Sequence, residues 1–227
     1  MTLAEATWPD AASIDLLLVP VGSTEQHGPH LPLDTDTTIA VAVAERVADR
    51  LGEAAAVTPP LVFGSSGEHQ SFPGTLSIGT EVLHQVVVEL VRSARTWVSR
   101  VVLVNAHGGN TAALTGAITQ LVAEGHDVAW VPCRTEGVDL HAGRTETSLM
   151  LYLRPDSVRT GLAVAGNSAS LAEILPAMVL GGVAAVSPNG VLGDPAGASA
   201  EEGRRLLADL VEQTVRELLP APEAASR

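Results

Sequence analysis

The sequence predicts an α/β fold, a three-layer α-β-α sandwich around a mainly parallel sheet. Three observations predict it. Short, unbroken apolar runs alternate along the chain with longer segments whose apolar residues recur at helical spacing. The runs lack polar alternation, as expected of strands covered on both faces. Polar segments carrying histidines and carboxylates follow several runs, where open parallel sheets gather their function, beyond the carboxyl ends of the strands.

The elements follow in order. "IDLLLVPV" (14–21) reads as a buried strand, and "TTIAVAVAERVADRLG" (37–52) as a helix begun by polar residues and stopped by Gly52. "AAVTPP" (55–60) is a brief strand ended by prolines, and the Gly/Ser/Pro-rich 63–79 reads as a loop. A helix over 80–97 has Thr80 as N-cap. "RVVLVNA" (100–106) is a strand, "HGG" a tight turn, and 110–125 a helix with Asn110 as cap and Gly125 as stop. A strand follows at 127–132, then a short helix at 147–155 halted by Pro155. The stretch 161–197 is mixed, with one helix in "SLAEILPAMVLGG"; a last helix spans about 199–219. No internal repeat or long linker divides the chain, so 1–219 reads as one domain and 220–227 as a flexible tail.

Composition removes several classes of function. A chain of 227 residues buries roughly 70–75% of the surface it exposes unfolded and needs no disulfide staple. Its single cysteine, Cys133, fits a reducing compartment and reads as an apolar filler at a strand end. A Cys133 nucleophile is the weaker reading, because no Cys-Gly turn or helix start follows it. The opening "MTLAEATWPD" is acidic, and no apolar run approaches the roughly 20 residues needed to cross a bilayer, so no membrane association and a cytoplasmic location are expected. The net charge of −13, without a basic cluster, repels phosphate backbones, and 3% aromatic residues leave few stacking platforms; nucleic acid is an unsuitable partner. An apolar content of 46% suits a large aliphatic core or the interface of a homo-oligomer.

"GSTEQHGPHLPLDTDT" (22–37) leaves the first strand and concentrates coordinating side chains. Glu25 and His27, two apart, face the same way in an extended segment. Asp34 and Asp36 precede a helix, where either alone would read as an N-cap. His107 in "NAHGGN" follows another strand, beside two glycines that permit close backbone approach. His141 and Glu146 lie together in "HAGRTETS". A lone loop histidine is more often solvated than functional. The coincidence of these groups at strand exits is what points to a metal. Imidazole and carboxylate ligands without thiolates suit zinc, manganese or ferrous iron. His84, in a helix, and His126, beside a stop, lack such company and read as structural.

"GSTEQHGPHLPLDTDT", "SGEHQSFPGTLSIGT", "NAHGGN" and "HAGRTETS" resemble the signature segments of the creatininase family of metal-dependent amidohydrolases. With "GVLGDPAGASAEEG", the likeness covers about residues 16–215. Within the family, "SGEHQ" and "GGVAAVS…GVLGDP" are most similar to members encoded with the mycofactocin pathway, peptidases of ribosomal-peptide maturation. The resemblance implies two divalent ions per subunit (zinc, iron or manganese), with Glu25 and His107 on one, His27 on the other and Asp36 bridging. Creatininase itself carries a carboxylate where this chain has Gly109, so Glu146 becomes the nearest remaining ligand, and creatinine is disfavoured as substrate. His141, or Glu146 if it binds no ion, would protonate the leaving amine, while Glu68 and His69 line or brace the pocket. The implied partner is a small peptide losing a modified C-terminal Val-Tyr pair, within a ring-like homo-oligomer. The alternatives are a cyclic-amide or formamide hydrolase acting on a small metabolite, and a non-catalytic ligand-binding relative.

Overall fold

Each of the four apolar runs forms a strand of one sheet in the computed structural model, which describes residues 1–134 and 139–219. β1 (Leu16–Val21), β2 (Ala55–Val57), β3 (Arg100–Asn105) and β4 (Val128–Pro132) lie in the order β2-β1-β3-β4, every neighbouring pair parallel. Alternate residues serve opposite faces. Leu17, Val19, Val21, Val101 and Leu103 meet Leu83, Val87 and Val91 of α2 (Thr80–Ala94) and Leu114 and Leu121 of α3 (Thr111–Ala123). Leu18, Val102, Val104 and Val131 meet Ile39, Val43 and Val47 of α1 (Thr35–Leu51) and Leu207, Leu210 and Val211 of α6 (Ala200–Leu218). The two-residue period of a strand sends neighbours into different cores, which is why successive residues in the middle of these strands are apolar. Helices on both faces of a parallel sheet are the three layers the sequence predicts.

The order of strands places the site. The chain passes from β1 to β2 through α1 on one face, then reaches β3, on the other side of β1, through α2 on the opposite face. The winding therefore reverses between β1 and β3, opening a crevice beyond their carboxyl ends.

Several boundaries differ from the sequence reading, and two matter for function. α1 begins at Thr35 rather than 37, which puts Asp36 in its first turn. α4 (Arg144–Leu153) begins ahead of 147, so Glu146 sits on a helix and not on a loop. Two carboxylates secure that early start: Glu146 Oε2 accepts the Ala142 N–H at 2.6 Å, and Asp139 Oδ1 accepts the Thr145 N–H at 3.2 Å. None of the expected caps at Asp34, Thr80 and Asn110 caps with its side chain. Asp34 pairs with Arg154 at 2.6 Å, and Thr80 is already helical behind Gly79. Asn110 ties loops together, accepting from the Ser65 N–H and donating to the Gly22 carbonyl. α2 stops at Ala94, and β2 ends at Val57 ahead of the prolines. The helix in 161–197 is α5 (Leu171–Gly181), with Ser170 and Glu173 forming a capping box. The tail expected at 220–227 lies outside the described residues.

Candidate metal centre

The crevice collects side chains from four elements. Beyond β1, Glu25 and His27 both turn inward; His107 arrives from the end of β3, Asp36 from the first turn of α1 and Glu146 from that of α4. Asp36 stands in the middle. Its Oδ1 is 3.1 Å from His27 Nε2, its Oδ2 is 3.3 Å from His107 Nδ1, and Ser23 Oγ donates to Oδ2 at 2.7 Å. Glu25 Oε2 lies 3.2 Å from His107 Nε2, and Glu146 Oε2 lies 3.9 Å from His27 Nε2. All five residues anticipated as ligands thus face one space. His141 joins them, its Nδ1 3.9 Å from Glu25 Oε1, held by a backbone bridge to Leu192.

Glu25 shows most clearly what the space suits. It is 0% exposed, and neither carboxylate oxygen accepts a hydrogen bond. A buried, unsatisfied carboxylate is costly unless a cation faces it. Ligand atoms of Glu25, His27 and Asp36 lie within 4.8 Å of one another; so do those of His27, His141 and Glu146, and of Glu25, His69 and His141. This donor set fits divalent ions of the zinc, manganese and iron type. No thiolate joins it. Cys133 packs against the core on the α1 side, and burial pushes its thiol up, with the charge of Asp36 adding to the effect.

Burial disfavours charge on every group here, and neighbours decide which stay charged. Burial pushes His27 down, but Asp36, Glu146 and Glu25 more than reverse this and hold it protonated up to about 10. Burial opposes charge on His107 too, yet Glu25 and Asp36 raise it well above the ordinary value. Against the same desolvation, His27 and His107 hold Asp36 far below the carboxylate range, and His107 and His69 hold Glu25 at about 2. Burial lowers His69 to about 4 and His141 well below its usual value, with neighbouring histidines adding to both. It lifts Glu146 to about 7, aided by Asp36 and opposed by His27. Without a metal, imidazolium protons on His27 and His107 therefore balance the charge of Asp36 and Glu25.

Three residues matter more than the sequence reading allowed. His69 places Nε2 3.3 Å from Glu25 Oε1, and Gln26 touches both His69 and His141. Glu68 Oε1 approaches His107 Nε2 at 3.6 Å. The signal available for His69 and Glu68 was their place after β2: "SGEHQ" is a strand exit like the others, beside β1 in the sheet. Gly109 also gains a reason. A Cβ there would overlap His107 Nε2, the Ser65 carbonyl oxygen and Glu68 Oε1, so the space is filled by the Glu68 carboxylate instead. His84 and His126 stand apart, His126 beside Glu124 at 3.7 Å.

Comparison with known proteins agrees with this geometry. The family model described as "Creatininase: Creatinine amidohydrolase" matches residues 4–218. The chain is 55% identical over 202 residues to the mycofactocin precursor peptide peptidase of Mycolicibacterium smegmatis, covering 87% of this chain and 82% of that protein. It is 32% identical over 199 residues to the creatinine amidohydrolase of Pseudomonas putida, covering 69% and 73%. A crystal structure of creatinine amidohydrolase (creatininase) superposes with a TM-score of 0.80 at 29% identity, over 97% of this chain and 98% of that one. A structure named "Creatininase Mn" gives 0.79 at 29% identity, over 97% and 99%. With the family model spanning nearly the whole sequence and a relative at 55% identity, this chain belongs to the creatininase family.

Proposed function

We propose that this chain is a metal-dependent amidohydrolase that cleaves near the C-terminus of the mycofactocin precursor peptide and releases its modified Val-Tyr pair. The observation that carries the reading is the buried Glu25 carboxylate, unsatisfied among histidines, in a chain 55% identical to a peptidase of that name. Glu25 and His107 would hold one ion, His27 and Glu146 the other, and Asp36 both. The two oxygens of Asp36 already face different histidines, Oδ1 toward His27 and Oδ2 toward His107.

A pair of divalent ions supplies water that ionises near neutral pH and a polarised amide carbonyl. The chain's residues supply the rest. Ser23 holds Asp36 in place by donating to Oδ2. His141 receives a proton on Nδ1 and returns it to the departing amine, which leaves poorly without one. Glu68, half-buried and lifted by desolvation, faces His107 Nε2 at 3.6 Å and lines the space beside the centre.

Metal binding must expel the protons on His27 and His107. Because His27 stays protonated up to about 10 in the metal-free chain, apparent affinity for a divalent ion rises as the pH climbs from about 6 toward 10. The metal-free fold responds in the opposite sense. A raised histidine stabilises fully below its unfolded value of about 6.5 and loses that contribution as the pH passes the folded value. Calorimetric titration in buffers of different ionisation heat is expected to show proton release on binding; an affinity flat with pH would contradict the assignment.

The 32% identity to a creatinine amidohydrolase favours a second reading, a cyclic-amide or formamide hydrolase using the same centre. Assaying the modified C-terminal peptide beside cyclic ureides and formamides separates the two, and turnover of the peptide alone is expected. Turnover of none would favour a non-catalytic relative. Metal identity is open to ion-by-ion reconstitution with zinc, iron and manganese; solved relatives include a mutant creatininase of Zn-Zn type and "Creatininase Mn". We also infer a homo-oligomer, because α5 leaves Val179 and Leu180 at 74% and 90% exposure. Light scattering checks it. Among the described residues no helix is long and apolar enough to cross a membrane, and we infer that the enzyme acts in the cytoplasm.

A further inference from the structure

We propose that Gln26 is a positioning residue that sets the tautomers of His69 and His141, leaving a proton on the inner nitrogen of His69 and a bare inner nitrogen on His141. The inference rests on the metal-hydrolase reading and deepens it. The two rings are 4.4 Å apart, and each directs one nitrogen at Glu25 Oε1, His69 Nε2 at 3.3 Å and His141 Nδ1 at 3.9 Å. By distance alone they are interchangeable ligands. The groups behind them make them different.

The Gln26 side chain is buried, and both ends of its amide are fixed. Oε1 accepts the Gly28 N–H at 2.8 Å, while Nε2 donates to the Gly190 carbonyl at 3.0 Å. A flipped amide would set carbonyl against carbonyl and N–H against N–H, so the orientation is unique. Gly190, at φ 80°, permits this approach, since a Cβ there would run into Gln26 Oε1. Nε2 has a second hydrogen, and it points to His69 Nδ1 at 2.8 Å. His69 Nδ1 is therefore an acceptor, and the neutral ring carries its proton on Nε2. That proton faces Glu25 without making an aligned hydrogen bond.

His141 is settled by the backbone of the same residue. Its Nε2 lies 2.8 Å from the Gln26 carbonyl oxygen, which can only accept, so Nε2 holds the proton and Nδ1 is bare. The amide of Gln26 also approaches His141 Nε2 at 3.0 Å, but its two hydrogens are already committed to Gly190 and His69. One residue thus assigns two tasks. His69 offers an N–H to Glu25 or to a substrate carbonyl oxygen, and cannot bind a cation through Nε2 while it keeps its bond from Gln26. His141 offers a lone pair that can take up a proton and give it to the leaving nitrogen.

The test is long-range ¹⁵N NMR of histidine-labelled full-length protein loaded with zinc, with the Gln26→Glu variant beside it. The wild type is expected to show His69 with a protonated Nε2 and an unprotonated Nδ1, and His141 with a protonated Nε2. In Gln26→Glu a carboxylate faces His69 Nδ1, so that nitrogen gains a proton, and kcat falls by about 10–100-fold, as when a group supporting a metal site is lost. KM is expected to move less than about twofold, because the change falls on the chemical step. A wild-type His69 protonated on Nδ1 with a bare Nε2 would overturn the proposal, as would a variant with unchanged tautomers and unchanged kcat. The wild-type spectrum decides alone if the variant does not fold. It needs no substrate, so it separates failure of this assignment from failure of the peptidase reading.

Discussion

Asp36→Ala is expected to empty the centre: bound metal falls to background and amide cleavage drops by more than about 100-fold, beyond the usual cost of losing a supporting group. Asp36 turns its two oxygens toward the two histidines assigned to different ions, His27 at 3.1 Å and His107 at 3.3 Å. Removing it takes a ligand from both proposed ions at once. It also removes the main charge that holds His27 protonated against burial in the metal-free chain, so that ring can become neutral rather than stay an unpaired buried cation, which limits the stability lost. The apolar face of α1, with Ile39, Val43 and Val47 in the core, is untouched, and the fold is expected to persist. Elemental analysis, turnover and circular dichroism on one preparation check all three parts. Full metal content with unimpaired turnover would remove Asp36 from the centre.

Gly22→Ala is expected to destabilise the protein by about 1–3 kcal/mol or more, the range for forcing atoms into a packed site. Gly22 lies where the end of β1 presses on the first turn of α1. A Cβ there would overlap the Oγ1, Cα and N atoms of Thr37. The strand end cannot retreat, because the Gly22 N–H donates to the Leu61 carbonyl at 2.9 Å and its own carbonyl accepts from Asn110 at 3.0 Å. The helix must give way instead, carrying Asp36, the residue before Thr37, away from His27. Urea unfolding should show the lost stability, and a metal titration should show weakened binding in the same variant. Wild-type values in both would mean that this contact is not what positions Asp36.

The layers of the fold were legible because strands buried on both faces need apolar residues at successive positions, and β1 and residues 101–104 of β3 supply them. Helix starts were not, because a carboxylate near an N-terminus can serve either backbone or site. Asp34 and Asp36 look alike in sequence; one pairs with exposed Arg154 and the other turns into the centre. Glu146 satisfies both demands, holding the Ala142 N–H while facing His27. Glu25 and His27 were readable because two coordinating side chains two residues apart follow a buried strand, and both reach the space around Asp36. His69 and Glu68 were named only through the family resemblance, because their place at the centre depends on β2 lying beside β1, which no local pattern states. Gly109 as a necessity, and Gln26 as a link between two rings, emerge only from distances.

The most direct measurement is anomalous diffraction from crystals of the full-length protein soaked with zinc, paired with turnover of the metal-stripped enzyme. Two peaks are expected in the crevice beyond β1 and β3, each about 2.0–2.2 Å from nitrogen and oxygen ligands drawn from Glu25, His27, Asp36, His107 and Glu146. The stripped enzyme is expected to be inactive until zinc, iron or manganese is returned. Full peptide cleavage by metal-free protein, or a soaked crystal with no peak among these side chains, would contradict the account.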